Sequence, residues 1–280
     1  MSILIVGGSG TLGHALVERL LSNGRYNRIA IFSRDEFKQF NMRQQFHDDP
    51  RLRFLIGDCR NKERLQTAME GVDDVVLCAA MKQVFTCEYS PFEVKLTNID
   101  GAANTIECAH NAGVDKCLYI SSDKAAAPRN LYGASKLFAE KLFLAANNMY
   151  GKESTKYSIC RYGNIFRSRG SLVPKWEEIL KTSNTVPVTD PDATRYVMTA
   201  SEAVDLVLNT LRTMKGGEIA IPELPAFRIA DLVEAMGAKM DIIGMDLSIE
   251  KKHETMDEIT DSSQARRMTI NELKTALDVV

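Results

Sequence analysis

The chain has 280 residues, enough for one nucleotide-binding domain and a second, smaller lobe. Its 35 basic and 37 acidic residues nearly balance, which argues against DNA, RNA or an anionic membrane as a partner and favours a small-molecule substrate. The sequence contains no basic leader and no apolar run approaching ~18 residues. A cytoplasmic protein that does not span a membrane is therefore expected.

The six cysteines are scattered along the chain and form no C-x-x-C pair. They are Cys59, Cys78, Cys87, Cys108, Cys117 and Cys160. Several lie in apolar strand or helix contexts, which is typical of reduced, buried thiols in a reducing compartment. No histidine cluster accompanies them, so no metal site is expected.

A glycine-rich loop follows the first apolar run, residues 3–6, and precedes a helical pattern at residues 14–22. The spacing Gly7-x-x-Gly10-x-x-Gly13 supplies the tight turn and the close backbone approach that the pyrophosphate of a dinucleotide requires. The loop residues predicted to bind the cofactor are Gly7, Ser9, Gly10, Thr11, Leu12 and Gly13.

The second predicted strand, residues 28–32, ends in Ser33, Arg34 and Asp35. In this fold an acidic residue here would hold the 2′-hydroxyl of NAD, whereas a hydroxyl and a guanidinium suit a 2′-phosphate. Ser33 and Arg34 come first, and Asp35 has an alternative role in starting the following helix. The sequence therefore favours NADP.

The next two strand ends complete the predicted cofactor cleft. Strand 52–56 leads to Asp58 and Cys59. Asp58 could accept a hydrogen bond from the adenine amine. Its alternative roles are to cap the helix at 62–70 or to complete the turn. Strand 74–78 ends in the small residues Ala79 and Ala80, which allow close approach to the cofactor. Lys82 then points towards the cleft, where it could contact cofactor or substrate or remain a surface lysine.

A helix predicted over residues 91–113 carries Asn98 among apolar neighbours. A buried amide needs hydrogen-bond partners. Asn98 is counted among the cofactor-site residues, with bracing of the active-site strand or capping of an internal turn as its alternative roles.

Residues 121–136 place an acid, two amines and a phenol where a strand passes into a helix. Tyr132 and Lys136 are one turn apart, so the ammonium is expected near the phenol oxygen, favouring its ionised form. Asp123 and Lys124 should face the same cavity in acid and base roles, with Ser122 beside them. A Tyr-x-x-x-Lys pair also occurs by chance on many helices, and the glycine loop upstream is what favours catalysis.

Strand and helix patterns alternate to a sixth predicted strand at 158–165, which predicts an α/β fold with a doubly wound parallel sheet of Rossmann type. Residues 1–165 form the predicted NADP-binding domain, to which 196–222 return. Residues 166–195 and 223–280 form a smaller substrate-binding lobe. The charged run 250–254 is expected to be a solvated helix face.

Loops predicted at 167–174 and 187–195 carry arginines and hydroxyls that suit a phosphorylated ligand, although solvated turns have the same composition. Val173 and Thr189 in these loops are counted among the candidate substrate contacts.

These motifs together resemble the extended short-chain dehydrogenase/reductases, and within them the inverting UDP-N-acetylglucosamine 4,6-dehydratases. Beyond the glycine loop, the motifs are Phe32-Ser-Arg-Asp-Glu36, Ser121-Ser-Asp-Lys-Ala125, Asn130-Leu-Tyr-Gly-Ala-Ser-Lys136, Arg161-Tyr-Gly-Asn164, Ser168-Arg-Gly-Ser171 and Thr194-Arg195. Two segments depart from the family pattern. Lys82-Gln-Val-Phe85 replaces Lys-His-Val-Pro, and Ser248-Ile-Glu-Lys-Lys-His-Glu254 replaces Pro-Gly-Glu-Lys-x-His-Glu.

The resemblance implies a lyase that regenerates its NADP in every turnover. Tyr132 would take the proton of the sugar 4-hydroxyl while hydride leaves C4. Lys124 would remove the C5 proton, protonated Asp123 would help expel the C6 hydroxyl, and hydride would return to C6. The substrate contacts implied by the family are Asn164, Arg169, Arg195 and His253.

Three alternatives stay open at this point. A 4-epimerase or a 5,6-dehydratase of the same fold would use the Tyr–Lys pair differently, and an NADP-sensing binding module would not turn over at all. The apolar face of the helix at 137–146 suits pairing between subunits, so a homo-oligomer is expected, although that face could also pack internally.

Overall fold

The computed structural model describes residues 1–151, 155–257 and 259–278. Its strands are β1 Ser2–Val6, β2 Arg28–Ser33, β3 Leu52–Ile56, β4 Asp74–Leu77, β5 Lys116–Ile120, β6 Lys156–Cys160, β7 Asn164–Ile165, β8 Thr185–Val188, β9 Thr194–Met198, β10 Ile219–Ala220, β11 Ala226–Arg228 and β12 Lys239–Ile242. Its α-helices are α1 Thr11–Asn23, α2 Glu36–Gln45, α3 Lys62–Met69, α4 Val84–Tyr89, α5 Pro91–Val94, α6 Gly101–Asn111, α7 Leu131–Met149, α8 Leu172–Leu180, α9 Ala200–Thr213, α10 Ile229–Ala235 and α11 Ile270–Asp278.

Seven parallel strands form the central sheet in the order β10-β6-β5-β4-β1-β2-β3. Every residue of β1 is buried because apolar clusters cover both faces of the sheet, as expected for parallel strands. The predicted α/β fold with a doubly wound sheet is confirmed. After β1 the chain adds β2 and β3 on one side and then returns to place β4 on the other side of β1, so a crevice opens where the strand order reverses.

The predicted helix at 91–113 is wrong in detail. Pro91 begins the short helix α5, a π-helical turn follows at Lys95–Asp100, and α6 completes the segment. Helix α4, which was not predicted, comes before it. The π-helical turn carries Asn98 with its side chain buried, so the irregularity lies next to the cleft, where such turns are frequent.

The predicted sixth strand at 158–165 is also wrong, because it divides between two sheets. β6 ends at Cys160 in the central sheet, whereas β7 pairs with β9 in a three-stranded sheet of order β11-β9-β7. Gly163 lies at the division, where an added Cβ would stand 2.5 Å from the Cβ of Tyr196. The close approach of these two segments therefore requires a glycine.

The two smaller sheets and helices α8, α10 and α11 form what we call the small lobe. The loop predictions at 167–174 and 187–195 were partly wrong, since α8 begins at Leu172, and β8 and β9 extend into the second segment. The small lobe has its own apolar core around Val173, Trp176 and Leu232. Among the described helices, none has both the length and the apolar character needed to cross a bilayer.

Residues 246–255, here called the strap, run from the small lobe across the end of the central sheet. Arg129 Nη1 donates to the carbonyl of Leu247 at 3.0 Å, and Asn130 Nδ2 donates to that of Ile249 at 2.8 Å. Lys251 Nζ donates to the carbonyl of Ala126. The predicted solvated helix face at 250–254 is wrong, because no helix forms there and Glu254 is only 3 % exposed.

A buried ion pair holds α7 to the segment that follows the strap. Arg161 donates to Glu140 through Nε at 2.9 Å and Nη2 at 2.5 Å, and through Nη1 to the carbonyl of Met256 at 2.8 Å. Glu140→Ala is expected to lower the free energy of unfolding by about 3–5 kcal/mol, because it leaves a largely buried guanidinium unpaired. Urea unfolding followed by circular dichroism measures this change.

The matched control is Glu178→Ala, since Glu178 forms an ion pair with Lys181 that is exposed on both sides. Exposed pairs contribute little, so this variant should unfold close to the wild type. Equal stability of the Glu140 variant and the wild type would show that the buried pair adds nothing.

Candidate active site

A cleft of about 520 Å³ opens at the carboxyl ends of β1, β4 and β5. Its lining includes most of the predicted site residues: Gly7, Ser9, Gly10, Thr11, Leu12, Gly13, Ser33, Arg34, Asp58, Cys59, Ala79, Ala80, Lys82, Ser122, Lys124, Tyr132, Lys136, Asn164 and Arg169. Residues far apart in the sequence thus meet at the crevice expected for a doubly wound sheet.

The glycine loop has the geometry that a pyrophosphate needs. Gly7 has φ +86°, and a Cβ there would lie 2.6 Å from the amide nitrogen of Ala79. Gly10 is the N-cap of α1 and provides no side-chain cap, so the first backbone N–H groups of a thirteen-residue helix are left for a ligand. A Cβ at Gly13 would lie 2.4 Å from the carbonyl oxygen of Gly8. The loop therefore fits the phosphates of a dinucleotide.

At the adenosine end of the cleft, the Asp35 side chain is used in capping a helix, whereas the Arg34 side chain is largely exposed. The Asp35 carboxylate caps α2, accepting from the amide of Lys38 at 2.9 Å, which is the alternative role considered for it. Arg34 lies with Nη1 3.7 Å from Asp58 Oδ2, and its side chain is 59 % exposed. A guanidinium is thus available beside the position that an adenosine ribose would take.

Asp58 and Cys59 form the turn after β3. The carboxylate of Asp58 accepts from Arg60 Nε at 2.8 Å, and its carbonyl accepts from the amide of Asn61. Asn61 is the cap of α3, so of the alternative roles for Asp58 the structure supports the turn and not the cap. Burial raises the pKa of the Cys59 thiol to about 11, which leaves it neutral against the cleft wall.

The prediction that Asn98 contacts the cofactor is corrected. Its Oδ1 accepts from the amide of Met81 at 2.8 Å, and its Nδ2 donates to the carbonyl of Met81 at 3.0 Å and to Ser135 Oγ at 2.9 Å. These bonds use both N–H donors and the oxygen of the amide, and the side chain is not part of the cleft lining in the described chain. Asn98 therefore holds the loop after β4 against α7, a bracing role that differs from the expected one because it does not involve the active-site strand.

Ser122, Asp123 and Lys124 follow the end of β5, with Ser122 as the N-cap of a short 3₁₀ helix, Asp123–Ala125. Asp123 Oδ1 lies 2.9 Å from Ser122 Oγ and 3.1 Å from Lys124 Nζ. The Asp123 side chain is 0 % exposed, so the expectation that it faces the cavity directly is wrong. Ser122 and Lys124 line the cleft in front of it.

Tyr132 and Lys136 lie on one face of α7, but their expected pairing is not seen. Lys136 Nζ donates to the carbonyl of Ile120 at 2.6 Å and lies 4.2 Å from the centre of the Tyr119 ring. Burial raises the pKa of Tyr132 to about 12, although the Lys124 ammonium and the Ser122 hydroxyl oppose the rise. Burial lowers the pKa of Lys136 to about 7. The expected phenolate is therefore not favoured without a ligand.

The sequence did not indicate the importance of Glu254. Its Oε1 lies 3.3 Å from Lys124 Nζ and 3.9 Å from Arg195 Nε. The amine of Lys124 is thus placed between two buried carboxyl groups, Asp123 and Glu254, which raise its pKa although burial opposes them. The available signal was that Glu254 keeps the last position of a family pattern whose first residues are changed.

The predicted substrate contacts divide into two groups. Asn164 and Arg169 line the cleft; Asn164 Nδ2 donates to the carbonyl of Tyr196 at 3.0 Å, and Arg169 Nη2 donates to that of Ser9 at 2.8 Å. Arg169 thus contacts the glycine loop itself. Lys82 also lines the cleft, and its pKa is lowered by burial and then by the neighbouring cations, Arg169 first.

The other predicted substrate contacts, Val173, Thr189, Arg195 and His253, are outside the cleft lining of the described chain. The prediction that Val173 contacts the substrate is wrong. Its apolar side chain, on α8, packs inside the small lobe and is 3 % exposed. His253 Nδ1 is hydrogen-bonded to Thr194 Oγ1 at 2.8 Å. Within residues 1–151, 155–257 and 259–278, no His, Cys, Asp or Glu side chains group as metal ligands would.

The fold and the cleft define the chain as an extended short-chain dehydrogenase/reductase. It belongs to the family described as polysaccharide biosynthesis protein, whose model matches residues 3–271. The inverting UDP-N-acetylglucosamine 4,6-dehydratase of Campylobacter jejuni is 45 % identical over 264 residues, which are 93 % of this chain and 78 % of that protein. The nucleotide-sugar dehydratases of this class are therefore its relatives.

Other relatives differ in the reaction that they are named for. A UDP-glucose 4-epimerase from Rickettsia conorii is 40 % identical over 238 residues, covering 84 % of this chain and 70 % of that protein. The structure of Pen from Bacillus thuringiensis has a TM-score of 0.91 and 35 % identity, covering 99 % of this chain and 97 % of its own. DesIV, a dTDP-glucose 4,6-dehydratase from Streptomyces venezuelae solved with NAD, has a TM-score of 0.84 and 20 % identity, covering 99 % and 96 %. This last similarity concerns the fold.

Proposed function

We propose that the protein is an NADP-dependent UDP-N-acetylglucosamine 4,6-dehydratase, a lyase that inverts C5 of the sugar. The observation that carries the proposal is the acid–amine pair of Asp123 and Lys124 at the cleft that also contains the phenol of Tyr132. Lys124 lines the cleft together with Tyr132, and Asp123 lies behind the lining. Elimination of water across C5 and C6 needs an acid and a base in addition to the group that handles the C4 hydroxyl proton. This site supplies all three.

The residues divide the proton movements among them. Tyr132 takes the proton of the sugar 4-hydroxyl. Because burial raises the pKa of Tyr132 to about 12, the phenol must first give up its own proton. A nicotinamide ring bound in the cleft supplies the acceptor for the C4 hydride and later the donor for C6. Asp123 provides the proton that the departing C6 hydroxyl takes up. Asp123 is buried behind Ser122, whose hydroxyl donates to Asp123 Oδ1 at 2.9 Å. For the proton to reach the cleft through the Ser122 hydroxyl, the direction of this hydrogen bond must reverse.

Lys124 is the proposed base for the C5 proton, and its surroundings set a condition on that role. Burial lowers the pKa of its amine, but the Glu254 carboxylate 3.3 Å away opposes this, so the amine is an ammonium ion before the reaction. It must therefore give up a proton before it can accept one from the sugar.

A 4-epimerase is the second candidate function, because relatives 40 % identical to this chain bear that name. An epimerase exchanges hydride at C4 alone and does not need an acid–base pair for C5 and C6. The presence of Asp123 and Lys124 beside the cleft is the reason to prefer the dehydratase.

The deciding experiment is incubation with UDP-N-acetylglucosamine in deuterated water, without added cofactor, followed by NMR of the sugar. Loss of the C6 hydroxyl with deuterium at C5 supports 4,6-dehydration. A galacto-configured product would instead establish epimerisation, and a 5,6-unsaturated product would establish a 5,6-dehydratase. An unchanged sugar together with tight NADP binding would identify a binding module.

NADP is proposed over NAD because of Arg34. Its guanidinium is largely exposed beside the ribose position, and Asp35 is occupied in capping α2. Arg34→Ala is expected to weaken NADP binding by about 10- to 100-fold, the loss of one charge-assisted contact, and to leave NAD binding unchanged. Calorimetric titration with both cofactors measures this difference.

Arg53→Ala is the control for Arg34, because Arg53 is an exposed arginine in β3 that donates to the carbonyl of Pro50. Its loss should affect neither cofactor. If the Arg34 variant binds NADP as well as the wild type does, the 2′-phosphate is held elsewhere or the cofactor is NAD.

We also propose that the protein is a homo-oligomer. Four large aromatic side chains, Phe85, Tyr89, Phe92 and Phe138, are between 52 % and 91 % exposed on neighbouring helices α4, α5 and α7. Exposed apolar surface of this kind is typical of an association site. Light scattering that returns the mass of a single chain would contradict this proposal.

A reducing compartment, the cytoplasm, is proposed as the location. All six cysteines are free, and five of them are buried. Fractionation of cells that produce the protein tests this, and recovery from an oxidising compartment would contradict it.

A further inference from the structure

We propose that Glu254 is a positioning residue whose carboxylate is the counter-ion of the Lys124 ammonium, which leaves Asp123 in the protonated form that can donate a proton. This inference rests on the proposed function for its meaning in catalysis, but the assignment of charge can be tested without any sugar.

Three ionisable groups meet in this cluster, and they cannot all be charged without cost. Lys124 Nζ lies 3.1 Å from Asp123 Oδ1 and 3.3 Å from Glu254 Oε1. The side chains of Asp123 and Glu254 are 0 % and 4 % exposed. Two buried carboxylates sharing one ammonium would repel each other, so one of them is expected to hold a proton.

The surrounding cations decide which carboxyl group is ionised. Glu254 faces Arg195 Nε at 3.9 Å and Lys251 Nζ at 3.8 Å in addition to Lys124. Asp123 has an ion pair only with Lys124 among the described residues. Charge complementarity therefore places the negative charge on Glu254 and the proton on Asp123.

The electrostatic directions agree with this assignment. Burial raises the pKa of Asp123, and the charge of Glu254 raises it further, against the opposing effect of Lys124. Burial also acts to raise the pKa of Glu254, but Lys124, Arg195 and Lys251 outweigh it and lower that pKa. The titratable and charged groups facing the cluster from every element packed on it are Lys82, Asp123, Lys124, Arg129, Tyr132, Arg195, Tyr196, Lys251 and Glu254.

Ser262, which follows the strap, and Arg195 of β9 hold Glu254 in this position. The amide of Glu254 donates to Ser262 Oγ at 2.9 Å, and its carbonyl accepts from the amide of Ser262 at 2.8 Å. Arg195 Nη1 donates to the carbonyl of Lys252 at 3.1 Å. The small lobe thus delivers a fixed negative charge to groups that belong to the end of β5.

The test is the carboxyl ¹³C chemical shift of labelled aspartate and glutamate in the full chain, followed against pH. Asp123→Asn and Glu254→Gln identify the two resonances. In the wild type at pH 7, Asp123 should be protonated and Glu254 ionised. In Glu254→Gln, the ratio of protonated to ionised Asp123 at pH 7 should fall by about tenfold or more, because Asp123 then becomes the counter-ion of Lys124.

Two variants serve as controls. Glu254→Asp keeps the charge and should keep Asp123 protonated. Ser248→Ala removes an exposed contact of the same strap, the 2.6 Å bond from the Ser248 hydroxyl to Asp246 Oδ1, and should not change the Asp123 titration. An ionised Asp123 in the wild type at pH 7 overturns the proposal, and so does an Asp123 titration that Glu254→Gln does not move. The wild-type result decides the matter even if that variant does not fold.

Kinetics connect this assignment to the proposed reaction. In Glu254→Gln the pKa of Asp123 falls, so its protonated form exists only at lower pH. We expect kcat for dehydration to fall by about tenfold or more at pH 7 and to recover as the pH is lowered, with KM little changed. A protein with the expected carboxyl shifts that does not dehydrate the sugar would refute the proposed function and leave the charge assignment standing.

Discussion

Lys124→Ala should slow dehydration of UDP-N-acetylglucosamine by about 10²- to 10⁴-fold, the contribution expected of a general base, while NADP binds as it does to the wild type. The amine of Lys124 lines the cleft, but the phosphates are expected at the backbone of the glycine loop, which this substitution does not change. NMR of the sugar in deuterated water measures both the product and the deuterium at C5, and both should be lost. Fluorescence titration with NADP shows whether the cofactor half of the site is intact.

Lys141→Ala is the matched control for Lys124, since Lys141 is an exposed lysine on α7, the same helix that carries Tyr132. It should behave as the wild type does. Normal dehydration by the Lys124 variant would mean that the base for C5 is another group, and the role proposed here would have to be given up.

Tyr132→Phe is expected to lower turnover by about 10²- to 10⁴-fold as well, but at an earlier step. The ring packs against Cys87 and Val94 and is 8 % exposed, so phenylalanine can fill the same space without the hydroxyl. Without a group to take the 4-hydroxyl proton, oxidation at C4 should fail. Single-turnover absorbance should then show no reduced nicotinamide, whereas the Lys124 variant should still produce it.

Tyr89→Phe is the control for this substitution, because the Tyr89 side chain is 91 % exposed on α4. The loss of its hydroxyl should not affect turnover. If the Tyr132 variant still oxidises C4 at the wild-type rate, the phenol is not the base.

Local patterns were sufficient to predict the cofactor cleft. Buried parallel strands have continuous apolar runs in the sequence, so β1, β2 and β4 were located to within one or two residues. The glycine loop is a contiguous motif whose geometry depends on residues within a few positions of one another, such as Gly7 and Gly10. Arg34 and Asp58 follow strand ends, and parallel strand ends meet at one edge of the sheet.

The misses involve contacts between segments that are distant in sequence. The run 250–254 has the composition of a solvated helix face, and only its position against Lys124 and Arg195 explains why Glu254 is buried. Helical spacing placed Tyr132 and Lys136 on one face, but it could not show that the longer side chain binds the carbonyl of Ile120. Asp123 was correctly placed at the end of a strand, whereas its depth behind Ser122 depends on packing.

Two properties of the site, cofactor preference and the charge balance around Lys124, involve different segments of the chain, and the strap is one of these segments. In the functions proposed above, cofactor preference is assigned to a residue after β2, Arg34, whereas the charge balance around Lys124 is assigned to Glu254, in a segment near the carboxyl end of the chain. Substitutions in that late segment can therefore alter how protons are distributed in the site while nucleotide recognition stays the same. A change of reaction between related proteins could arise in this way without any loss of affinity for the dinucleotide.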